Sequence, residues 1–415
     1  MLLVVAWVVA GVYIDRQTEK ELAALKAEGY SLSFEELITS SVPDDENGAV
    51  EYRRAFALLS PATEEESAAE ARIDADPLKW SEEDARLLQG YVARNDEAVS
   101  CLEKAAAQPH CQFSFDHNQY SEQFLPVMNQ MRGLSRLLTY RLGLALRVGD
   151  GRRAIEDALL IWQMAGAFKE QPTLMTSVLS QAFSGISFRA MLRIVSAGVA
   201  DELTRSDLQI LAKQELPKPA VAFSGELSWG LLNFSVLPHY PQRRFDRLAY
   251  VRLMRRSIVL SGLPWPYISK EIVDLETDTS KSWLTLTPLT SNMLVPIMVS
   301  SLKKREITEA HIRLTWAGVA VEVYRNEHGA YPALLDDVAE LVGAENLQDP
   351  FGAVLSESAS GYTQAPLIYR RRGDSYVLYS VGPNMIDDGG KEPLKSDRTP
   401  DWDQSDIVWR GAAGK

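Results

Sequence analysis

In a chain of 415 residues, 56 acidic side chains outnumber 43 basic ones, for a formal net charge of -13. That field repels phosphate backbones and argues against nucleic acid as a partner. A hydrophobic share of 46% is enough for a substantial core, while two cysteines and five histidines exclude a disulfide framework and a histidine-rich metal centre.

From Leu2 to Ile14 no charge interrupts the chain, and Asp15-Arg16 closes the run. As a helix at about 1.5 Å per residue it spans roughly 20 Å, short of a hydrocarbon core of about 30 Å. Residues 1–14 therefore read as the apolar region of an export signal, retained as a membrane anchor because no small-residue cleavage pattern follows. The basic residues that ordinarily precede such a region are missing; a start codon assigned too far downstream would explain both departures. The competing reading is a buried terminal helix.

Residues 34–272 are dominated by helical periodicity and read as one helical domain. Gly48 to Leu59 predicts a helix stopped at Ser60-Pro61, and Ser81-Glu82-Glu83-Asp84 opens another with a capping hydroxyl and an acidic first turn. Leu134 to Val148 and Arg152 to Phe168, joined by Gly149-Asp150-Gly151, predict an antiparallel helical hairpin. Leu137, Tyr140, Leu144, Ala145 and Leu146, then Gly149, Ala154, Ala158 and Ile161, make this pair resemble a tetratricopeptide unit. The helices expected next, Thr173 to Ala197 and Thr204 to Glu215, do not sustain that repeat's period of about 34 residues. The expected architecture is thus an irregular helical bundle or short solenoid.

Cys101 and Cys111 either close a short disulfide loop or are two buried thiols. His110 and His117 lie near them, but neither C-x-x-C pairing nor the usual histidine spacing is present, which argues against a Cys/His metal cluster. The remaining histidines, His239, His311 and His328, supply no H-E-x-x-H. Phosphate-binding glycine loops and a G-x-S-x-G elbow are also missing. Basic clusters at Arg243-Arg244, Arg255-Arg256 and Arg370-Arg371-Arg372 read as solvated faces or local ion-pair partners. Pro217, Pro219, Pro238, Pro241, Pro264 and Pro266 break up the end of the helical region, and Trp229, Trp265 and Trp283 read as seals of loops on a core. Residues 273–295 form the expected linker.

The final segment, 296–412, changes character. Ile312, Trp316, Val319, Val323 and Tyr324 share one face of a predicted helix, ended at Gly329 and Pro332. A short helix over Leu334 to Val342 follows, then turn chemistry at Asp349-Pro350-Phe351-Gly352. Pro366 to Arg371 and Ser375 to Val381 predict strands about the turn Arg372-Gly373-Asp374, the second covered on both faces. After Val381 no hydrophobic period returns until Ile407-Val408-Trp409, and Asp387, Asp388, Asp401, Asp403 and Asp406 load the intervening loop with charge. Calcium is the natural tie for such a loop, since it accepts carboxylates and carbonyls from scattered positions. A merely solvated acidic loop is the alternative.

Tyr324-Arg325-Asn326-Glu327-His328-Gly329-Ala330-Tyr331-Pro332, Asp349-Pro350-Phe351-Gly352, Tyr379-Ser380-Val381-Gly382 and Asp406-Ile407-Val408-Trp409 occur in an order that resembles the major pseudopilin of bacterial type II secretion systems. In that comparison they are the helix end, the central turn and the C-terminal calcium loop, and Pro296-Ile297-Met298 is similar to the point where the long first helix leaves the membrane. The resemblance implies an α+β domain, a helix packed on a small antiparallel sheet, with calcium held by Val381, Asn384, Ser405 and Asp406; Asp387, Asp388 and Asp403 are local additions. Two departures matter. Nothing before Pro296 supplies the family's leader, processing site and filament-forming apolar helix, and Asn384 stands where an aspartate is usual.

The combined expectation is a mainly α N-terminal region followed by a pseudopilin-like domain. It implies an exported, non-enzymatic scaffold or protein-interaction protein, anchored in the bacterial inner membrane with its bulk outside the cytoplasm and a protein partner in the secretion or envelope machinery. The competing expectation is an exported hydrolase with its site in the helical domain and the C-terminal domain as accessory.

Overall fold

The computed structural model describes residues 2–37, 42–73, 75–116, 119–171, 173–236, 243–272, 289–355, 362–391 and 405–411. It is mainly helical, with two small antiparallel sheets near the C-terminus. In chain order the helices are α1 (Leu2–Ala27), α2 (Phe34–Leu37), α3 (Gly48–Leu58), α4 (Glu64–Arg72), α5 (Glu82–Arg94), α6 (Asp96–Ala107) and α7 (Tyr120–Val148). There follow α8 (Gly151–Gly166), α9 (Leu174–Ser196), α10 (Arg205–Lys213), α11 (Pro219–Val236), α12 (Arg243–Leu260), α13 (Leu289–His328) and α14 (Ala339–Val342). The strands are β1 (Gln348–Leu355), β2 (Tyr362–Pro366), β3 (Ile368–Arg372), β4 (Ser375–Ser380) and β5 (Ile407–Arg410). No described helix is long and apolar enough to cross a membrane.

Two compact units emerge: residues 1–41, 168–178 and 217–305 in the smaller, and 42–167, 179–216 and 306–415 in the larger. The span 34–272, expected as one helical domain, is shared between them, and the C-terminal sheets belong with the helices of 42–167. The expected linker lies mostly outside the described residues. Where it is described, α13 already begins at Leu289, and Pro296 sits inside that helix.

In the smaller unit α12 packs against both α1 and α11. The apolar opening of α1 does not stop at Asp15-Arg16: the helix runs on to Ala27 because Gly11, Ile14, Thr18, Leu22 and Leu25, spaced by three and four, form one buried stripe. Ion pairs Asp15–Arg244, Glu19–Arg247, Glu21 with Arg252 and Arg255, and Glu28–Arg255 follow the same order on both helices, so α1 and α12 run parallel. The arginine pair at 255–256 thus serves local carboxylates, Arg256 taking Glu271.

The larger unit contains the hairpin predicted around Gly149. That residue takes φ 75, which lets α7 close by a left-handed cap, and Asp150 caps α8 by accepting from the Arg153 amide. Between the two helices Arg141 Nε donates to Asp157 Oδ1 over 2.7 Å, with Asp157 fully buried. Ser81 caps α5 as its position implied, accepting from the Asp84 amide. Cys101 and Cys111 are buried thiols with no disulfide between them.

The C-terminal part of this unit is built on the end of α13. β3, β4 and β5 form one antiparallel sheet in that order, with Tyr379 opposite both Ile368 and Val408. Ala317, Val319, Ala320, Val321 and Val323 are buried along the helix, and Gly318 has the fully buried Trp409 indole where a side chain would stand. Asp349-Pro350-Phe351-Gly352 corrects the turn expectation: the four residues lie in β1, which pairs with β2. The turn chemistry survives as a bulge, since register shifts between Gln348 and Ala353 and the Asp349 carboxylate folds back onto the Phe351 amide at 3.0 Å.

The seat of Trp409 on Gly318 is testable. Gly318→Val should lower stability by about 1–3 kcal/mol in urea unfolding, because any side chain there overpacks the contact. An unchanged midpoint would show that the indole is not held against the helix.

Candidate functional site

The loop leaving β4 is tied down at its first residue. Asp349, 1% exposed, accepts from Ser380 Oγ at 2.7 Å and from the Val381 amide at 2.8 Å, and Ser380 Oγ in turn accepts from the Gly382 amide at 3.2 Å. Burial pushes the Asp349 carboxyl up, against these hydrogen bonds, which favour the charge. Gly382 takes φ 68 with the Ser405 carbonyl where its Cβ would be, so this approach of the loop's two ends admits no other residue. The carbonyl-bearing segments at Val381 and Ser405 are thereby brought side by side.

Three of the acidic and amide side chains predicted as ligands are linked there. Asn384 Nδ2 donates to Asp388 Oδ2 at 3.1 Å, and the Asp388 amide points at Asp406 Oδ1 at 3.4 Å. Asp406, 0% exposed, also receives the Gly390 amide at 2.7 Å. Burial raises its pKa first; the amides oppose the shift and the charges of Asp388 and Asp387 add to it. Asn384 Oδ1 accepts from the Ile386 amide at 3.0 Å.

Asp387 points elsewhere. Tyr379 Oη donates to it over 2.8 Å and Arg370 Nη2 over 3.0 Å, with the guanidinium 5.3 Å from the Tyr379 ring centroid. The Tyr379 hydrogen bond is the main reason its pKa is lowered. Ser405 is buried, and its hydroxyl lies 3.4 Å from the Asp406 carbonyl. Asp401 and Asp403 lie outside the described residues. Among the described residues, no three histidine, cysteine or acidic side chains converge as a metal cluster. A cation here would take Asp388, Asn384 and Asp406 together with carbonyl oxygens, a donor set suited to calcium and not to zinc.

Beside the loop, the helix carries an acid that periodicity did not single out. Glu322 is fully buried and accepts from Tyr376 Oη at 2.9 Å, while Trp409 Nε1 donates to the same phenol at 2.9 Å. Tyr331 Oη lies 3.4 Å from Glu322, and Arg325 reaches Tyr331 Oη at 3.1 Å. Burial raises the Glu322 pKa, with the Tyr376 hydrogen bond pulling the other way. Its signal in the sequence was a lone charge inside the apolar run Ala317 to Val323. Asp157, next to Glu156, interrupts the apolar residues Ala154, Ile155, Ala158 and Leu159; burial, opposed by Arg141, raises its pKa to about 6.

The described histidines have three different surroundings. His110 is exposed, His328 stacks on Tyr324 with centroids 4.0 Å apart, and His311 is buried against Phe188 at 4.3 Å. His117 and His239 lie outside the described residues. Burial, assisted by the charge of Arg189, lowers the His311 pKa to about 3. A base whose folded pKa is depressed stabilises the fold above its unfolded value near 6.5 and loses that contribution as pH falls toward 3. His311→Phe, which keeps the ring stack, should therefore flatten the acid side of the pH–Tm curve measured by calorimetry; parallel curves for the two proteins would refute the buried neutral imidazole.

Set against known proteins, the chain matches no family model, no curated protein and no solved structure.

Proposed function

We propose that this is an exported, membrane-anchored and non-enzymatic scaffold whose C-terminal domain, pseudopilin-like in design, is stabilised by calcium and presents a surface to a protein partner of the secretion or envelope machinery. The observation that carries the reading is Asp406: a buried carboxylate held by two backbone amides, with Asp388 and Asp387 adding negative charge around it. Arg370 offsets Asp387, whereas a divalent cation beside Asp388 and Asp406 would relieve the repulsion at the other two. Val381 and Ser405 would add carbonyl oxygens, Asn384 its amide oxygen, and Asp403 a further carboxylate.

The other features fit the same reading. A helix laid on a three-stranded antiparallel sheet is a rigid platform for a recognition loop. Met385 and Ile386, at the turn that opens that loop, are exposed apolar side chains of the kind protein partners bury. The apolar start of α1 supports attachment to a membrane.

Calcium should raise the melting temperature of the full chain by about 5–10 °C at saturation relative to chelator-treated protein. Asp388→Asn, which keeps the side-chain shape, should remove most of that difference without lowering the melting temperature of the metal-free protein. Identical melting curves with calcium and with chelator would overturn the calcium reading.

A further inference from the structure

Resting on the membrane-anchored reading, we infer that the opening of α1 and the start of α12 together form a binding surface for anionic phospholipid, with Arg244 and Arg247 as the headgroup contacts. The juxtaposition is one the sequence did not disclose. Arg16 and Lys20 follow the apolar run of α1 in its own segment, and the parallel packing of the two helices brings α12 arginines alongside it as well.

The exposed face of α1 changes chemistry abruptly. Val5, Val8, Val9 and Val12 are 46–62% exposed, and the same face continues at helical spacing as Arg16, Glu19 and Lys20, also exposed. One continuous helix therefore passes from wholly apolar to charged within a single turn. Trp7 and Tyr13 are exposed in the apolar part and Phe245 at the start of α12, residue types that favour the level of lipid headgroups. In water this surface is a standing cost; against a leaflet its apolar part enters the acyl region while the charged part stays among headgroups.

The arginines sit at that boundary. Arg244 lies along α1 at Gly11, whose missing side chain leaves room for the guanidinium beside the apolar segment. It lies 3.5 Å from Asp15, and Arg247 lies 3.6 Å from Glu19, both pairs substantially exposed. Such pairs contribute little and exchange readily for a phosphate oxygen. The chain as a whole is strongly acidic, so only a local cluster of this kind can dock it on an anionic leaflet, and docking then has one orientation.

The test is co-sedimentation of the full chain with vesicles of phosphatidylcholine alone and with the same vesicles containing phosphatidylglycerol. Wild type should prefer the anionic vesicles, and the preference should weaken with salt. Arg244→Gln and Arg247→Gln should each reduce it about fivefold while leaving binding to phosphatidylcholine unchanged. Equal binding of wild type to both vesicles, retained in the double variant, would keep the apolar anchor and overturn the arginine contacts. Binding to neither vesicle would remove the membrane reading itself and leave the exposed face to a protein partner.

Discussion

Everything distinctive at the C-terminal end depends on one close approach, that of the Trp409 indole to Gly318 on α13. The missing side chain lets β5 lie directly on the helix, and the indole N–H then finds the Tyr376 phenol, which in turn donates to Glu322. A fully buried carboxylate is costly unless hydrogen-bonded; Tyr376 supplies one bond from the sheet, itself held by Trp409, and the Tyr331 hydroxyl lies 3.4 Å away. With β5 fixed, the residues just before it, Ser405 and Asp406, are fixed too. The acidic loop inherits its geometry from the helix contact.

Within that loop the carboxylates are differentiated by their partners. Asp387 is drawn outward by Tyr379 and Arg370, which favour its charge, whereas Asp406 is drawn inward, where burial disfavours charge and two amides compensate in part. Asp349, across the sheet, plays a third part by pinning the backbone at Ser380 and Val381. One cluster thus holds a solvent-facing ion pair, a buried acceptor and a structural clamp. The proposed cation would engage the Asn384, Asp388 and Asp406 side of it.

Local chemistry made several elements legible in the sequence: the Ser81 cap, the Gly149 hairpin, the β3–β4 turn and the end of α13 near Gly329. Each is decided by residues within a few positions of one another. What the sequence hid was decided at long range. Asp349-Pro350-Phe351-Gly352 has turn chemistry, yet pairing with β2 draws it into a strand and leaves the turn as a bulge. Asp15-Arg16 reads as a stop, yet α12 lies alongside and carries α1 onward for three more turns. Buried charges at Asp157 and Glu322 showed only as interruptions of apolar runs, and their partners, Arg141 and Tyr376, could not be chosen without the fold. Among the acidic residues of the loop, the sequence did not disclose that Asp387 turns to Tyr379 and Arg370 while Asp406 is buried.

The proposal combines the apolar and cationic surface of α1 and α12 with an acidic C-terminal loop proposed to hold a hard cation. Its central claim is the cation. Native mass spectrometry of the full chain prepared in calcium tests this most directly: the account predicts one calcium ion per chain, lost in Asp388→Asn, and a metal-free mass for the wild-type protein under the same conditions would contradict it.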